Sequence, residues 1–258
     1  MSSLSAIILA AGKGTRMKSD LPKVAHEVAG RPMVEWVARA CHEAGCERII
    51  IVIGYAQKVV REIFAKSELP VEFVVQDEQH GTGHAVMCAA DALADEAQRE
   101  ACETLVLAGD GPLISAGTIT NILGSHRASC AVATLATAHV EDPTGYGRIV
   151  RDDHGRFRAI VEHKNATQDQ LAIDEINPSY YCFDTQHLFR ILSTVERNEL
   201  TGEYYITDVP GILREEGRTV EVDDSVPAEQ VLSINSPEQL AAVNDILTQR
   251  LAATREGA

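Results

Sequence analysis

Residues 9–24 read LAAGKGTRMKSDLPKV and follow directly on the apolar run Ser5-Ala6-Ile7-Ile8. A buried strand that empties into a glycine-rich, basic loop is the opening of a βα unit, and it sets the fold expected for the chain. The loop is not a Walker loop, because Lys13 is followed by Gly14 and position 7 is isoleucine rather than glycine. Nor does it contain GxGxxG. Its glycines allow close backbone approach and expose N–H groups, while Arg16 and Lys23 supply charge suited to a polyphosphate. A tight βα turn with solvated basic side chains accounts for the same residues.

Outward from this loop, short aliphatic runs at 6–9, 48–53, 71–75 and 104–107 read as buried strands. Helix-period segments lie between them at 32–44, 57–66 and 83–96, the first with Pro32 in its first turn and Gly45 as its stop. This alternation predicts an α/β fold: a Rossmann-like, mainly parallel sheet with helices on both faces. After about residue 140 the pattern changes to strands at 148–151, 157–162 and 175–183. Asp152-Asp153-His154-Gly155 is a hairpin turn between the first two, and the group reads as an antiparallel lobe on the same sheet. A late strand follows at 220–222. Ser236-Pro237-Glu238-Gln239 opens a helix with Leu240, Val243, Leu247 and Leu251 inward. The expected organisation is one domain over 1–258: a nucleotide-binding half over 1–140, a sugar-binding lobe over 141–232, a closing helix over 233–253 and a frayed tail over 254–258.

The 258 residues are 45% hydrophobic and carry a formal charge of −15. Such a surface repels a phosphate backbone, so nucleic acid is excluded as a partner, and a small anion would need a local basic cluster. Six scattered cysteines without a CxxC pair read as reduced thiols. No run of about 18 apolar residues occurs, so no membrane partner is expected and the location expected is cytoplasmic.

Open α/β sheets bind ligands beyond the carboxyl ends of their strands. The strand ends here are 10–16, Gln76 with the following His80-Gly81-Thr82-Gly83-His84, and Gly109-Asp110-Gly111-Pro112, so the unusual residues converge at one rim. Asp110 reads either as a turn aspartate or as a hard oxygen ligand for Mg²⁺. His80 and His84 lack a third zinc ligand, which disfavours a zinc site. Met17 and Met33 read as core.

Seven motifs occur in order: LAAGKGTRMKSDLPK, QDEQHGTGHA (76–85), GDGPLI (109–114), DPTGYGRI (142–149), IVEHK (160–164), EIN (175–177) and GEYYITD (202–208). With these the sequence resembles the N-acetylglucosamine-1-phosphate uridylyltransferases of GlmU type, within the sugar-1-phosphate nucleotidyltransferase family, from Ile7 to about Leu240. The resemblance implies the nucleotide-diphospho-sugar transferase fold. The implied reaction is a Mg²⁺-dependent transfer of UMP from UTP to N-acetylglucosamine 1-phosphate, by in-line attack on the α-phosphate, giving UDP-N-acetylglucosamine and pyrophosphate. By the same resemblance Arg16 and Lys23 are catalytic, and Asp110 and Asn235 hold the metal. Leu9, Ala10, Ala11, Gly12, Gln76, Gly81 and Thr82 bind the nucleotide, and Gln76 can offer both a donor and an acceptor to the base. Gly147 (by backbone), Glu162, Asn177, Tyr205 and Thr207 bind the sugar. On residue type alone Glu162 reads equally as a salt-bridge partner within the lobe, and Asn177 as a turn residue.

Three departures from the family pattern bear on substrate choice: Pro178-Ser179 where the family has Thr-Gly, Ala108 where tyrosine is common, and Gly111 where valine is common. The alternatives are the same chemistry on another sugar 1-phosphate or another NTP, or a non-catalytic nucleotide-binding module. In bifunctional relatives a hexapeptide-repeat acetyltransferase domain follows and carries the trimer contacts. Its motifs do not occur in this sequence, and the expectation is a monomer or weak oligomer.

Overall fold

The computed structural model describes residues 3–14, 17 and 19–256, the last three by backbone alone. The strands are β1 (Ser3–Ala10), β2 (Glu27–Val28), β3 (Arg31–Pro32), β4 (Arg48–Ile53), β5 (Glu72–Val75), β6 (Cys102–Ala108), β7 (Ala133–Ala136), β8 (Ala138–His139), β9 (Gly147–Arg151), β10 (Phe157–Val161), β11 (Glu175–Asn177), β12 (Tyr180–Asp184) and β13 (Val220–Asp223). The helices are α1 (Met33–Glu43), α2 (Gln57–Ala65), α3 (Thr82–Met87), α4 (Ala116–Ala128), α5 (Gln168–Leu171), α6 (Thr185–Leu192), α7 (Asp208–Glu215) and α8 (Pro237–Glu256).

The main sheet has seven strands in the order β13-β7-β12-β6-β1-β4-β5. Only β12 runs antiparallel to its neighbours, β6 and β7. Strand side chains alternate between faces, and here both faces are covered. Ala6, Ile8, Ile49 and Ile51 face α1, α2 and α4, whereas Ile7, Ile50 and Val52 face α3, α6 and α7. Burying each isoleucine contributes roughly 1.5–3 kcal/mol. A third cluster, Met17, Val28, Met33, Leu113 and Ile234, lies under Val243 and Leu247 of α8. The smaller sheet, in the order β10-β9-β11-β8, is antiparallel, and Phe157 and Ile160 of β10 pack into the α6–α7 side of the core. The cysteines are free thiols, and no helix among the described residues is long and apolar enough to cross a membrane.

Two elements differ from the sequence expectation in ways that shape the site. The strand expected over 175–183 is two strands in two sheets: β11 belongs to the lobe and β12 to the main sheet. The break falls at Pro178, which has no N–H to donate, and Ser179, which holds a left-handed φ of 63°. Within 141–232 the chain therefore leaves the lobe at Asn177 and returns to the main sheet. The helix expected over 83–96 ends at Met87 and continues as 3-10 turns at Asp91–Leu93 and Glu96–Gln98. There Arg48 Nη1 donates to the Ala92 carbonyl (2.6 Å) and to Glu96 (3.0 Å), taking an acceptor that an uninterrupted helix would keep for itself. At the other end of the chain α8 stays helical through Glu256, beyond the point where fraying is expected.

Candidate active site

β1 and β6 are parallel neighbours. The chain runs from β1 outward to β4 and β5 on one side and then to β6 on the other, so the segments leaving the carboxyl ends of β1 and β6 diverge and open a crevice. Gly109 N–H donates to the Leu9 carbonyl (3.0 Å), which fastens the Asp110 turn to the end of β1. Ile234 N–H donates to the Asp110 carbonyl (3.4 Å) and brings the segment before α8 to the same point. The start of α8 then grips Asn235. Gln239 N–H donates to Ser236 Oγ (3.3 Å), while Gln239 Oε1 reaches back to accept from Asn235 N–H (2.7 Å). Asn235 Nδ2 donates to Ser233 Oγ (3.1 Å), leaving Oδ1 turned inward.

Lys23 sits in a short 3-10 turn after Pro22, and its ammonium donates to Asp110 Oδ2 and to Asn235 Oδ1 (2.6 Å). Gly14 packs on the Lys23 stem with φ +68°, where any Cβ would collide with Lys23 Cβ. Lys13 lies over the Tyr55 ring at 5.1 Å and lines neither cleft described below. Arg16 and Lys18 lie outside the described residues.

Two clefts meet at Lys23 and Asp110. The larger, about 370 Å³, is walled by Leu9, Ala11, Gly12, Gly14, Gln76, Gly81 and Thr82, with Gln79 and Glu203 at its edge. Ala10 is not in this wall; it points into the α1-side core. The 81–83 loop is clamped to 204–206. Gly83 N–H donates to Tyr204 O (2.8 Å), Tyr204 N–H to His80 O (2.8 Å), and Ile206 N–H to Thr82 Oγ1 (3.2 Å). Gly81 has φ +98°, and a Cβ there would stand 2.5 Å from the Tyr204 carbonyl.

The smaller cleft, about 200 Å³, is walled by Gly147, Glu162, Asn177, Pro178, Ser179 and Asn235. Asn177 Nδ2 donates to the Tyr181 hydroxyl (2.6 Å) and its Oδ1 accepts from Ser179 N–H (3.2 Å), so its amide is oriented. Tyr205 and Thr207 line neither cleft. Thr207 stands behind the wall and donates to Glu162 Oε1 (3.2 Å), and the Tyr205 hydroxyl meets Thr201 Oγ1 (2.7 Å). Burial pushes the Glu162 carboxyl above its ordinary value, with the Thr207 hydrogen bond opposing.

Sequence reasoning passed over two residues. Gln79 Nε2 donates to the Ala11 carbonyl (2.7 Å), tying the Gly81 loop to the first loop. The Tyr146 hydroxyl donates to Val231 O (3.2 Å) and accepts from Ser233 N–H (3.0 Å), which joins the lobe to the segment carrying Asn235. The signal for each was its setting: an amide at the strand-end rim, and a tyrosine between two glycines.

One of the departures has a packing counterpart. A Cβ at Gly111 would run into the Tyr180 hydroxyl, which donates to Gln230 O (3.0 Å) beneath the Asp110 turn. Gly111 is therefore the space Tyr180 occupies. Gly111→Val is expected to cost about 1–3 kcal/mol by overpacking, read as a lowered Tm, and Tyr180→Leu in the same chain should recover part of it. An unchanged Tm for the single variant would contradict this coupling.

Residues 6–175 match the family described as the MobA-like NTP transferase domain. The chain is 42% identical over 251 residues to the bifunctional protein GlmU of Shouchella clausii, covering 97% of this chain and 54% of that protein. It is 43% identical to the protein of the same name from Bacillus cereus (97% and 53%), and 43% to that from Syntrophomonas wolfei (96% and 54%). The chain thus spans about half the length of these curated relatives. With a mainly parallel sheet whose strand-end loops build two joined clefts, and with the match running over residues 6–175, the chain belongs to the family of MobA-like NTP transferase domains, a nucleotidyltransferase family.

Proposed function

We propose that the chain transfers UMP from UTP to N-acetylglucosamine 1-phosphate with the help of Mg²⁺, releasing pyrophosphate. The observation that carries this reading is the junction of the two clefts at Lys23 and Asp110, where one occupant's phosphate meets the other's. The larger cleft takes the nucleotide, with backbone from Leu9–Gly12 and the Gln76, Gly81 and Thr82 wall around the base. The smaller takes the sugar, with Glu162 and Asn177 hydrogen-bonding its hydroxyl and acetamido groups and Gly147 offering backbone. Thr207 holds Glu162 from behind.

The attacking phosphate is already an anion, so no general base is needed. What must be overcome is the approach of two anions and the charge that builds on the transferring group and the leaving pyrophosphate. Lys23, reaching both clefts, and Arg16 neutralise that charge. Asp110 and Asn235 suit a Mg²⁺ ion: both present hard oxygens toward one point, and in this structure a cation, the Lys23 ammonium, stands against them. When bound there, Mg²⁺ would supply Lewis-acid charge stabilisation to the phosphate oxygens.

The raised Glu162 carboxyl gives a pH signature. A glutamate with a raised folded value takes up its proton at higher pH than an exposed one as the solution is acidified, and the protonated form is a poorer acceptor for sugar hydroxyls. KM for the sugar phosphate should therefore climb on the acid side before the ordinary glutamate range is reached, and Glu162→Gln should flatten that limb. The sign for stability is opposite in sense. Between the unfolded and folded values the native state holds the extra proton, so Glu162 contributes less stability as pH rises through that window. An acid limb identical in both proteins would remove Glu162 from the sugar site.

Pyrophosphate release across a panel of NTPs and sugar 1-phosphates tests the whole reading. UTP with N-acetylglucosamine 1-phosphate should give the highest kcat/KM; no release with that pair would overturn it. The second reading, the same chemistry on another sugar, is favoured by Pro178 and Ser179, which line the smaller cleft where the family pattern differs.

A further inference from the structure

Gln76 is 4% exposed and lies just past β5, where its backbone N–H donates to Ile53 O (2.8 Å). Its side-chain nitrogen meets two partners: the Gly81 carbonyl at 3.1 Å and His84 Nδ1 at 3.0 Å. A carbonyl can only accept, so the amide edge facing Gly81 must be the NH₂. The second hydrogen of that NH₂ then points at His84 Nδ1, which must be the bare nitrogen of a neutral ring. The ring proton belongs on Nε2, whose neighbour one helical turn on is Cys88 Sγ at 4.0 Å. The ring itself is held by stacking on Tyr204, at 6.4 Å and 30° between planes. With both hydrogens engaged, Gln76 has only its carbonyl oxygen left for the cleft it lines, and no group among the described residues donates to that oxygen.

We propose that His84 is a specificity-determining positioning residue: by accepting the second N–H of Gln76 it commits that amide to offering an acceptor alone, so the cleft selects a pyrimidine whose ring edge carries an N–H over one whose edge carries a bare nitrogen. This rests on the nucleotide reading of the larger cleft. A uracil-type edge has an N–H between two carbonyls, and that N–H meets the oxygen when the base covers it; left unpaired under a bound base, such an oxygen costs about 1–3 kcal/mol. A cytosine-type edge sets a ring lone pair against the oxygen's lone pair, leaving both unmet. His80 and His84 then have different work despite their spacing. His80 Nε2 meets the Glu78 carboxylate at 2.6 Å at the surface, while His84 faces inward to Gln76.

The test is a steady-state comparison of UTP and CTP, at fixed sugar 1-phosphate, for the full chain and two variants. His84→Leu fills the space but cannot accept; His84→Asn can bring an amide oxygen near the position of Nδ1. The ratio of kcat/KM for UTP over CTP should fall about tenfold in His84→Leu, mainly through a raised KM for UTP, and should recover in His84→Asn. A purely structural role would depress both nucleotides together and leave the ratio unchanged, which overturns the proposal. ¹⁵N-edited NMR of the unaltered protein gives a second reading that does not depend on the folding of His84→Leu: His84 must be the Nε2–H tautomer, and an Nδ1–H or doubly protonated ring also overturns the proposal. Wild-type protein that turns over no nucleotide sinks the nucleotide reading and this inference together. Wild-type protein that favours UTP, with the same ratio in His84→Leu, sinks this inference alone.

Discussion

Asp110→Asn is expected to lower kcat by about 10³-fold, roughly 4 kcal/mol at the barrier. The substitution keeps the size and shape of the side chain and an oxygen that Lys23 can still reach. The Asp110 backbone links, to Ile234 directly and to β1 through Gly109, are untouched. What changes is the charge. A neutral amide is a far weaker partner for a hard divalent ion than a carboxylate, and Asn235 already supplies a neutral side-chain oxygen at that point. The Mg²⁺ concentration for half-maximal rate should therefore rise at least about tenfold, while Tm stays close to wild type. An unchanged metal titration would move the metal site away from Asp110.

Arg16→Ala is the second large effect, about 10²–10³ in kcat with a smaller change in KM for UTP. Gly14, two residues before Arg16 in the sequence, packs against the Lys23 stem and lines the larger cleft. An arginine guanidinium offers a planar fork of donors to phosphate oxygens as charge grows on them, which lysine cannot reproduce. Arg16→Lys should accordingly restore charge but little of the rate. Near-normal turnover in Arg16→Ala would defeat the role given to this residue.

The strands were legible because their residues alternate between two buried faces and their ends carry the unusual glycines. Ile49, Ile50 and Ile51 suit a strand covered on both sides, and they lie in one. The break at Pro178 was written in the sequence as a missing N–H, but its consequence was not: whether a chain turns into a neighbouring sheet depends on which strand edge lies within reach. The 3-10 turn at Asp91–Leu93 was hidden for a similar reason, since the partner that takes the Ala92 carbonyl, Arg48, is 44 residues away. At the site, the convergence of the strand-end loops followed from the sheet rule alone. The pairings within it did not. That Lys23 would bridge Asp110 and Asn235, that Gly111 makes room for Tyr180, and that Gln76 spends both its N–H groups on Gly81 and His84 are facts of distance between remote segments. Gln76 shows the difference most plainly. Its residue type allows a donor and an acceptor, and only its neighbours reduce it to one.

The central claim is that two anions meet at the Lys23–Asp110 junction and exchange a nucleotidyl group in one in-line step. The most direct measurement is the stereochemical course of transfer from UTP carrying a chiral α-thiophosphate to N-acetylglucosamine 1-phosphate. The two-cleft arrangement predicts inversion at the α-phosphorus in the UDP-sugar formed. Retention, which requires a second displacement through a covalent enzyme intermediate, would contradict it.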